Sequence, residues 1–336
     1  NFTYYETYQQ YKQAVIFPDK IEVDPNSKSY YERTKQGWLA QLVGGAFGTA
    51  LEGYTLKNLY DAFGDIHHYV RQPNTYNDDI TYEIAFLEAF NQYGYDLTSE
   101  QIALEWLALV PFGWSAERIS LKNLPAGIFP PMSGYFNNPY REWIGAQMRG
   151  AICGMVAPGN PELAAELAFK DAVVSHANNG VLGEIFNAVM VSLAYVENDI
   201  KSKDSEYYSI LKLAYDASKN HTTWQKAWHS IEHHFKKYNW VHAYPNAACE
   251  IIALYYGNGD FDETLHIIGM LGYDVDCNAA QIMTVIGIIY KNVPQKWTTP
   301  LGETIYTYCR KYKTMDLSFL TDWTVNATKK AHLSTL

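Results

Sequence analysis

The chain has 336 residues, 48% hydrophobic, 15% aromatic and 18% charged, with a formal net charge of −10 and a pI near 5.5. This balance supplies a large core and excludes a disordered chain, and the acidic surplus speaks against the basic face that nucleic-acid binding needs. No run of about 18 apolar residues is free of charge, so no membrane span is predicted; the expectation is a soluble protein, cytoplasmic or exported after signal-peptide removal.

Residues 1–29, rich in Tyr and Lys with Pro18 and Pro25, read as an irregular arm. Residues 30–336 contain no Pro/Ser-rich or charge-run linker and read as one domain. From Tyr30 onward Trp38, Leu39, Leu42, Val43, Ala46, Phe47, Ala50 and Leu51 recur at helical spacing. The same stretch carries Gly37, Gly44, Gly45 and Gly48. Each mid-helix Gly costs up to ~1 kcal/mol against Ala, so four together predict close approach of another helix or of a ligand.

Asn74, Thr75 and Asn77 are cap candidates for a helix running to about Phe90, with Asp78 and Asp79 in its first turn. Acids there either answer the helix dipole or contribute to a site for a hard, oxygen-preferring cation. Helices follow over 99–109, 141–156 and 161–173, the last announced by Asn160-Pro161. The Pro/Gly-rich stretch Leu124 to Gly134 reads as a pocket-lining loop. Ser175-His176-Ala177-Asn178-Asn179-Gly180 breaks the pattern before a helix from Gly183 to Tyr195. Further helices at about 206–219, 223–236, 246–256, 261–270, 278–291 and 301–312 complete an all-α fold without a fixed repeat. Within it, Gly272-Tyr273-Asp274-Val275-Asp276-Cys277-Asn278-Ala279-Ala280 reads as a ligand-bearing turn feeding a helix.

Competing signals are weak. Cys153, Cys249, Cys277 and Cys309 form no Cys-x-x-Cys pair. Asn1-Phe2-Thr3, Asn220-His221-Thr222 and Asn326-Ala327-Thr328 fit the short glycosylation pattern. His229-Ser230-Ile231-Glu232-His233 matches a zinc-peptidase signature but lacks an assignable further ligand, and His234 beside it suits a polar surface. Serine-hydrolase elbows, phosphate-binding loops and dinucleotide fingerprints are missing.

The order Gly-rich helix, Asn77-Asp78-Asp79, Ser175-His176 with Gly180, and Asp274-Val275-Asp276-Cys277 over roughly residues 34–290 resembles the ADP-ribosylglycohydrolase family. The resemblance implies a compact all-α domain whose central cleft holds Mg²⁺ at up to two sites, Mn²⁺ being a substitute. Its metal ligands would be Asn77, Asp78, Asp79, Asp274, Asp276 and Cys277. Asn77 and Cys277 stand where the family carries hydroxyl residues, and a thiol is a poorer Mg²⁺ ligand. Asp78, Asp79 or Asp276 would take a proton from the attacking water, with Glu52 as a further catalytic candidate.

His176, Asn178, Asn179 and Gly180 would wall the substrate pocket, with Gly134, Trp143 and Gly145 shaping it. The family's diphosphate-cradling loop reads Trp143-Ile144-Gly145-Ala146-Gln147-Met148-Arg149 here, and the bulk of Trp and Ile obstructs backbone approach to a diphosphate. The implied activity is metal-dependent hydrolysis at the anomeric carbon of an ADP-ribosyl or ribosyl-type substrate. The alternatives are a metal-dependent sugar O-glycosidase acting on a non-nucleotide glycoside and a non-catalytic ligand-binding or structural protein. The expected partner is a small-molecule glycoside or ADP-ribosyl compound, not nucleic acid or membrane.

Overall fold

The computed structural model describes residues 4–196 and 206–334. Its first helices are α1 (Tyr8–Ala14), α2 (Lys28–Gly48), α3 (Leu56–Phe63), α4 (Asp78–Tyr93), α5 (Ser99–Leu109), α6 (Ser115–Asn123), α7 (Met132–Tyr135), α8 (Ala151–Met155) and α9 (Pro161–Ala172). They are followed by α10 (Asn179–Ala194), α11 (Glu206–Asn220), α12 (Trp224–Ile231), α13 (Ala243–Gly257), α14 (Phe261–Leu271), α15 (Val275–Tyr290), α16 (Gln295–Leu301) and α17 (Leu317–Leu333). One antiparallel pair interrupts them, β1 (Thr304–Tyr306) with β2 (Thr314–Asp316), Ile305 facing Met315. The fold is all-α, as the periodicity predicts.

Gly37, Gly44 and Gly48 of α2 find their reason in α15, its most extensive packing partner, while Gly45 stands against the Asn77 side chain. A Cβ added at Gly44 would stand 2.4 Å from the Ala279 carbonyl oxygen, and one at Gly48 would stand 2.2 Å from the Asp276 nitrogen. Such backbone approach is open only to residues without a side chain. The helix pair separates two cores. Trp38, Phe86, Trp106 and Ile185 lie in one; Phe47, Trp228, Ile267 and Trp297 lie in the other. Burying each such side chain stabilises by roughly 1.5–3 kcal/mol, which fixes the crossing from both sides.

Several boundaries differ from the sequence reading. The arm 1–29 contains α1, capped by Thr7, and α2 already begins at Lys28 behind the Ser27 cap. Asn1-Phe2-Thr3 lies outside the described residues. No single helix spans 141–156: the Ile144 amide is bonded to the Val241 carbonyl at 2.8 Å, and only a short 3₁₀ turn, Gln147–Arg149, precedes α8. The helix expected over 301–312 is replaced by β1 and its following loop, because Thr304 to Tyr308 is a β-branched and aromatic run. The loop from Leu124 to Gly134 contains a 3₁₀ turn and the start of α7. Helix α15 starts at Val275, which brings Asp276 and Cys277 inside its first turn. Helices α3, α6, α16 and α17 escaped the pattern.

Candidate active site

The acidic cluster forms where three chain segments meet. Asn77 caps α4, its Oδ1 accepting from the Asp79 amide at 2.7 Å, while its Nδ2 donates to Asp276 Oδ2 at 3.3 Å. This one side chain ties the start of α4 to the start of α15. Asp274 occupies the N-cap of α15, after Gly272 (φ +76) and Tyr273 (φ +66). Those two residues are stitched to the segment leaving α2: the Gly53 amide donates to the Tyr273 carbonyl (2.7 Å) and the Tyr273 amide to the Tyr54 carbonyl (3.0 Å). The stitch places Glu52 beside Asp276.

Asp79, Asp274, Asp276 and Cys277 are buried, whereas Asn77, Asp78 and Glu52 are half-buried. Ligand atoms of Asp274, Asp276 and Cys277 all lie within 4.8 Å of one another. Asp79 Oδ2, Asp274 Oδ1 and Asp276 Oδ1 are buried without a hydrogen-bond partner. Burial raises the Asp78 carboxyl to about 7, with the Asp276 charge adding to it. Burial and then Asp276 raise Glu52 to about 8. Asp79 and Asp274 are pushed well above the usual carboxylate range by burial and by neighbouring acids. The Cys277 thiol is raised too, by burial and then Asp274, and it donates weakly to Asp79 Oδ1 at 3.5 Å. Orphaned carboxylate oxygens crowded in this way are what a hard divalent cation relieves, so the residues fit such an ion.

The second expected cluster stands nearby on different elements. Ser175 Oγ accepts from Arg149 Nη2 (3.0 Å) and lies 2.7 Å from His176 Nδ1. With the Ser175 hydroxyl donating to Nδ1, the proton of His176 would sit on Nε2. That atom has no partner and faces Glu117 Oε1 at 3.9 Å. Burial and the Arg149 charge hold His176 well below its usual value, hence neutral. Asn178 and Asn179 both donate to the Glu142 carboxylate, at 3.1 and 2.7 Å, and Gly180 packs its backbone against the Arg141 carbonyl. Gly134 rests on the His176 backbone. Trp143 meets Tyr140 edge-to-face with centroids 4.6 Å apart and pairs with His242 in an isolated bridge.

Gly145 meets a residue that sequence reasoning overlooked. A Cβ there would overlap the Glu117 carboxylate, 1.8 Å from Oε1. Glu117 is buried, raised to about 7 by burial against the opposing pull of Arg149, and the Asp78 charge reaches it. Arg149 is the hub of this region. It bonds Asp171 (2.5 Å), Glu117 (3.3 Å) and the Gly145 carbonyl (2.8 Å), and its guanidinium lies over the Trp106 ring at 4.8 Å.

Asn246 of α13 was overlooked as well. Its Oδ1 accepts from the Asp274 amide (3.0 Å) and Asn278 Nδ2 (2.7 Å), while its Nδ2 donates to the carbonyls of Trp240 and His242. A polar side chain inside a mostly apolar helix, which also carries Glu250, was the available signal. The histidines of the zinc-peptidase pattern stay apart from this centre: His229 is exposed and paired with Glu232 at 3.5 Å, and His233 stacks on His234.

The profile of the family described as ADP-ribosylglycohydrolase matches residues 26–331. Comparison with curated proteins yields no match. Among solved structures, a chain titled "ADP-ribosylglycohydrolase-related protein complex" superposes with a TM-score of 0.63 at 18% identity, covering 91% of this chain and 99% of that one. That likeness bears on the fold, and the profile on descent. The chain belongs to the ADP-ribosylglycohydrolase family, whose members are glycosidic-bond hydrolases.

Proposed function

We propose that the chain hydrolyses the glycosidic bond at the anomeric carbon of an ADP-ribosyl or ribosyl-type substrate, using a divalent cation of the Mg²⁺ or Mn²⁺ kind. The carrying observation is the convergence of three buried, unpartnered carboxylate oxygens, from Asp79, Asp274 and Asp276. These acids would hold the cation with Asn77 and Asp78, while Cys277, a soft donor, would be the weakest member of the set. A cation there would supply Lewis-acid polarisation of water and of sugar hydroxyls.

The protein's own groups divide the remaining work by their exposure. Asp78 and Glu52, half-buried at the rim, are the carboxyls that meet substrate and exchange protons with water and leaving group. Asp276, bonded by Asn77, keeps the two acidic segments in register, and Asn246 anchors the backbone of Asp274. His176, neutral, offers its Nε2–H to a substrate oxygen, with Ser175 holding the tautomer. Gly134, Gly180 and the Glu142-bound Asn178 and Asn179 shape the wall behind it.

A second reading, a sugar O-glycosidase acting on a non-nucleotide glycoside, draws support from Glu117. An acid against Gly145 repels a diphosphate but hydrogen-bonds readily to neutral hydroxyls. Calorimetric titration with Mg²⁺ and Mn²⁺, followed by assays with ADP-ribosylated peptide and with neutral ribosides and hexosides, tests both readings. Cation binding that is lost in Asp276→Ala, with release of ADP-ribose, supports the first. Cation binding with turnover of neutral glycosides alone selects the second, and no cation binding refutes both.

A further inference from the structure

We infer that an exposed row of aromatic rings, Tyr306, Tyr76, Tyr308, Phe112 and Trp114, is an extended subsite that seats a neutral saccharide chain leading out of the acidic cluster. The inference rests on the second reading above, the neutral glycoside. The rings are contiguous. Centroids are 5.6 Å apart for Tyr76 and Tyr306, 5.3 Å for Tyr76 and Tyr308, 5.2 Å for Phe112 and Tyr308, and 6.0 Å for Phe112 and Trp114. All five are exposed, from 37% at Tyr308 to 62% at Trp114. An uncovered apolar patch of this kind is unusual on a soluble surface and marks a place that meets a ligand.

The row is continuous with the candidate active site. Tyr76 immediately precedes Asn77, the cap that bonds Asp276, and Tyr308 stands close enough to Asp78 for that carboxylate to act on its hydroxyl. It is also held in place. The Thr75 hydroxyl clamps Tyr306 through its amide (2.6 Å) and its carbonyl (3.1 Å), and the Arg310 amide is bonded to the Leu109 carbonyl at 2.9 Å. Rings already ordered lose little freedom when a ligand arrives.

Charge and chemistry select the occupant. On the adjoining loop, Arg310 is turned to the Leu107 carbonyl and Lys311 to Glu88, so these cations are engaged elsewhere. A chain of net charge −10 disfavours a polyanion on such a surface. Amphipathic rings take the C–H faces of sugars while their hydroxyls stay wet, and successive sugar units can meet successive rings.

Calorimetry with neutral cello- and xylo-oligosaccharides, from dimer to hexamer, tests the inference. Affinity is expected to rise with length, and Trp114→Ala and Tyr306→Ala are each expected to weaken hexamer binding roughly three- to tenfold. Trp114→Phe should restore it, which separates loss of a ring from loss of fold. Length-dependent binding without turnover of any glycoside would sink the hydrolytic reading and leave the platform standing. Length-independent or absent saccharide binding, or binding of ADP-ribose oligomers in their place, overturns the inference.

Discussion

Replacing Gly48 by Ala tests the link between the α2–α15 crossing and the acidic centre. The new Cβ would stand 2.2 Å from the Asp276 nitrogen and 2.3 Å from its Cα. Backbone cannot swing aside, so the helices must part by more than about 1 Å to reach ordinary contact. Overpacking of this kind costs about 1–3 kcal/mol, only partly offset by the better helix propensity of Ala, worth up to ~1 kcal/mol. Because Asp276 itself is displaced, Mg²⁺ affinity should fall roughly 10–100-fold, as when the supports of ligands are removed.

Gly45→Ala is the graded control. Its Cβ would stand 3.2 Å from Asn77 Nδ2 and 3.9 Å from Ala280 Cβ, side-chain contacts that need give by only a few tenths of an ångström. Thermal melts with and without Mg²⁺, together with calorimetry, should rank Gly48→Ala well below Gly45→Ala and the parent in both stability and affinity. A Gly48→Ala protein that melts and binds Mg²⁺ like the parent refutes the claim that this crossing positions the site.

Other outcomes follow from the same geometry. Arg149→Met strands Asp171, Glu117 and Glu184 without their cation, and urea unfolding should register a loss of about 3–5 kcal/mol. Glu250 is buried and raised to about 8 by burial, against hydrogen bonds from Gln147 and Asn187. Its folded form thus keeps a proton that the unfolded chain releases near its ordinary value of 4.5, so its stabilising share is complete below about pH 4.5 and is lost as the pH climbs to about 8. Glu250→Gln should therefore match the parent near pH 4.5 and gain relative melting temperature steadily up to pH 8; parallel curves would exclude this linkage. Mg²⁺ binding should release protons, because Asp78 and Glu52 are raised to about 7 and about 8 by burial and by neighbouring charge. Calorimetry in buffers of different ionisation enthalpy reads that release directly, and buffer-independent heats would contradict it. Cys277→Ser puts a hard oxygen where a buried thiol stands and should tighten Mg²⁺ binding relative to softer ions such as Cd²⁺; unchanged selectivity would place Cys277 outside the ligand set.

Local signals carried most of the helical architecture. The range 99–109 coincides with α5, where Thr98 and Gln101 form a capping box, and the Asn160-Pro161 start of α9 was equally legible. What escaped depended on partners distant in sequence. The backbone at 141–146 leaves helical geometry because Val241, far along the chain, claims the Ile144 amide. Residues 304–306 pair with 314–316, Ile305 facing Met315, a contact that a helical period cannot register.

The acidic centre shows the same division. Its acidic residues were legible because each knot is a short local string, and the four glycines of α2 announced that something pressed against them. At Gly44 and Gly48 that something is the backbone of α15, which makes the glycine-rich helix part of the support for Asp276, while Gly37 meets the Ile288 side chain and Gly45 the Asn77 side chain. Glu117 and Asn246 could not be found by motif, since each acts alone from a helix with no local pattern around it. Yet Asn246 fixes the Asp274 backbone and Glu117 sets the charge beside Gly145. The residues proposed to hold the cation are thus written as motifs, while Asn246 and Glu117 beside them are isolated polar side chains. Glu117, the acid against Gly145 on which the proposed preference for a neutral glycoside rests, is a position that the Asp-rich motifs do not include.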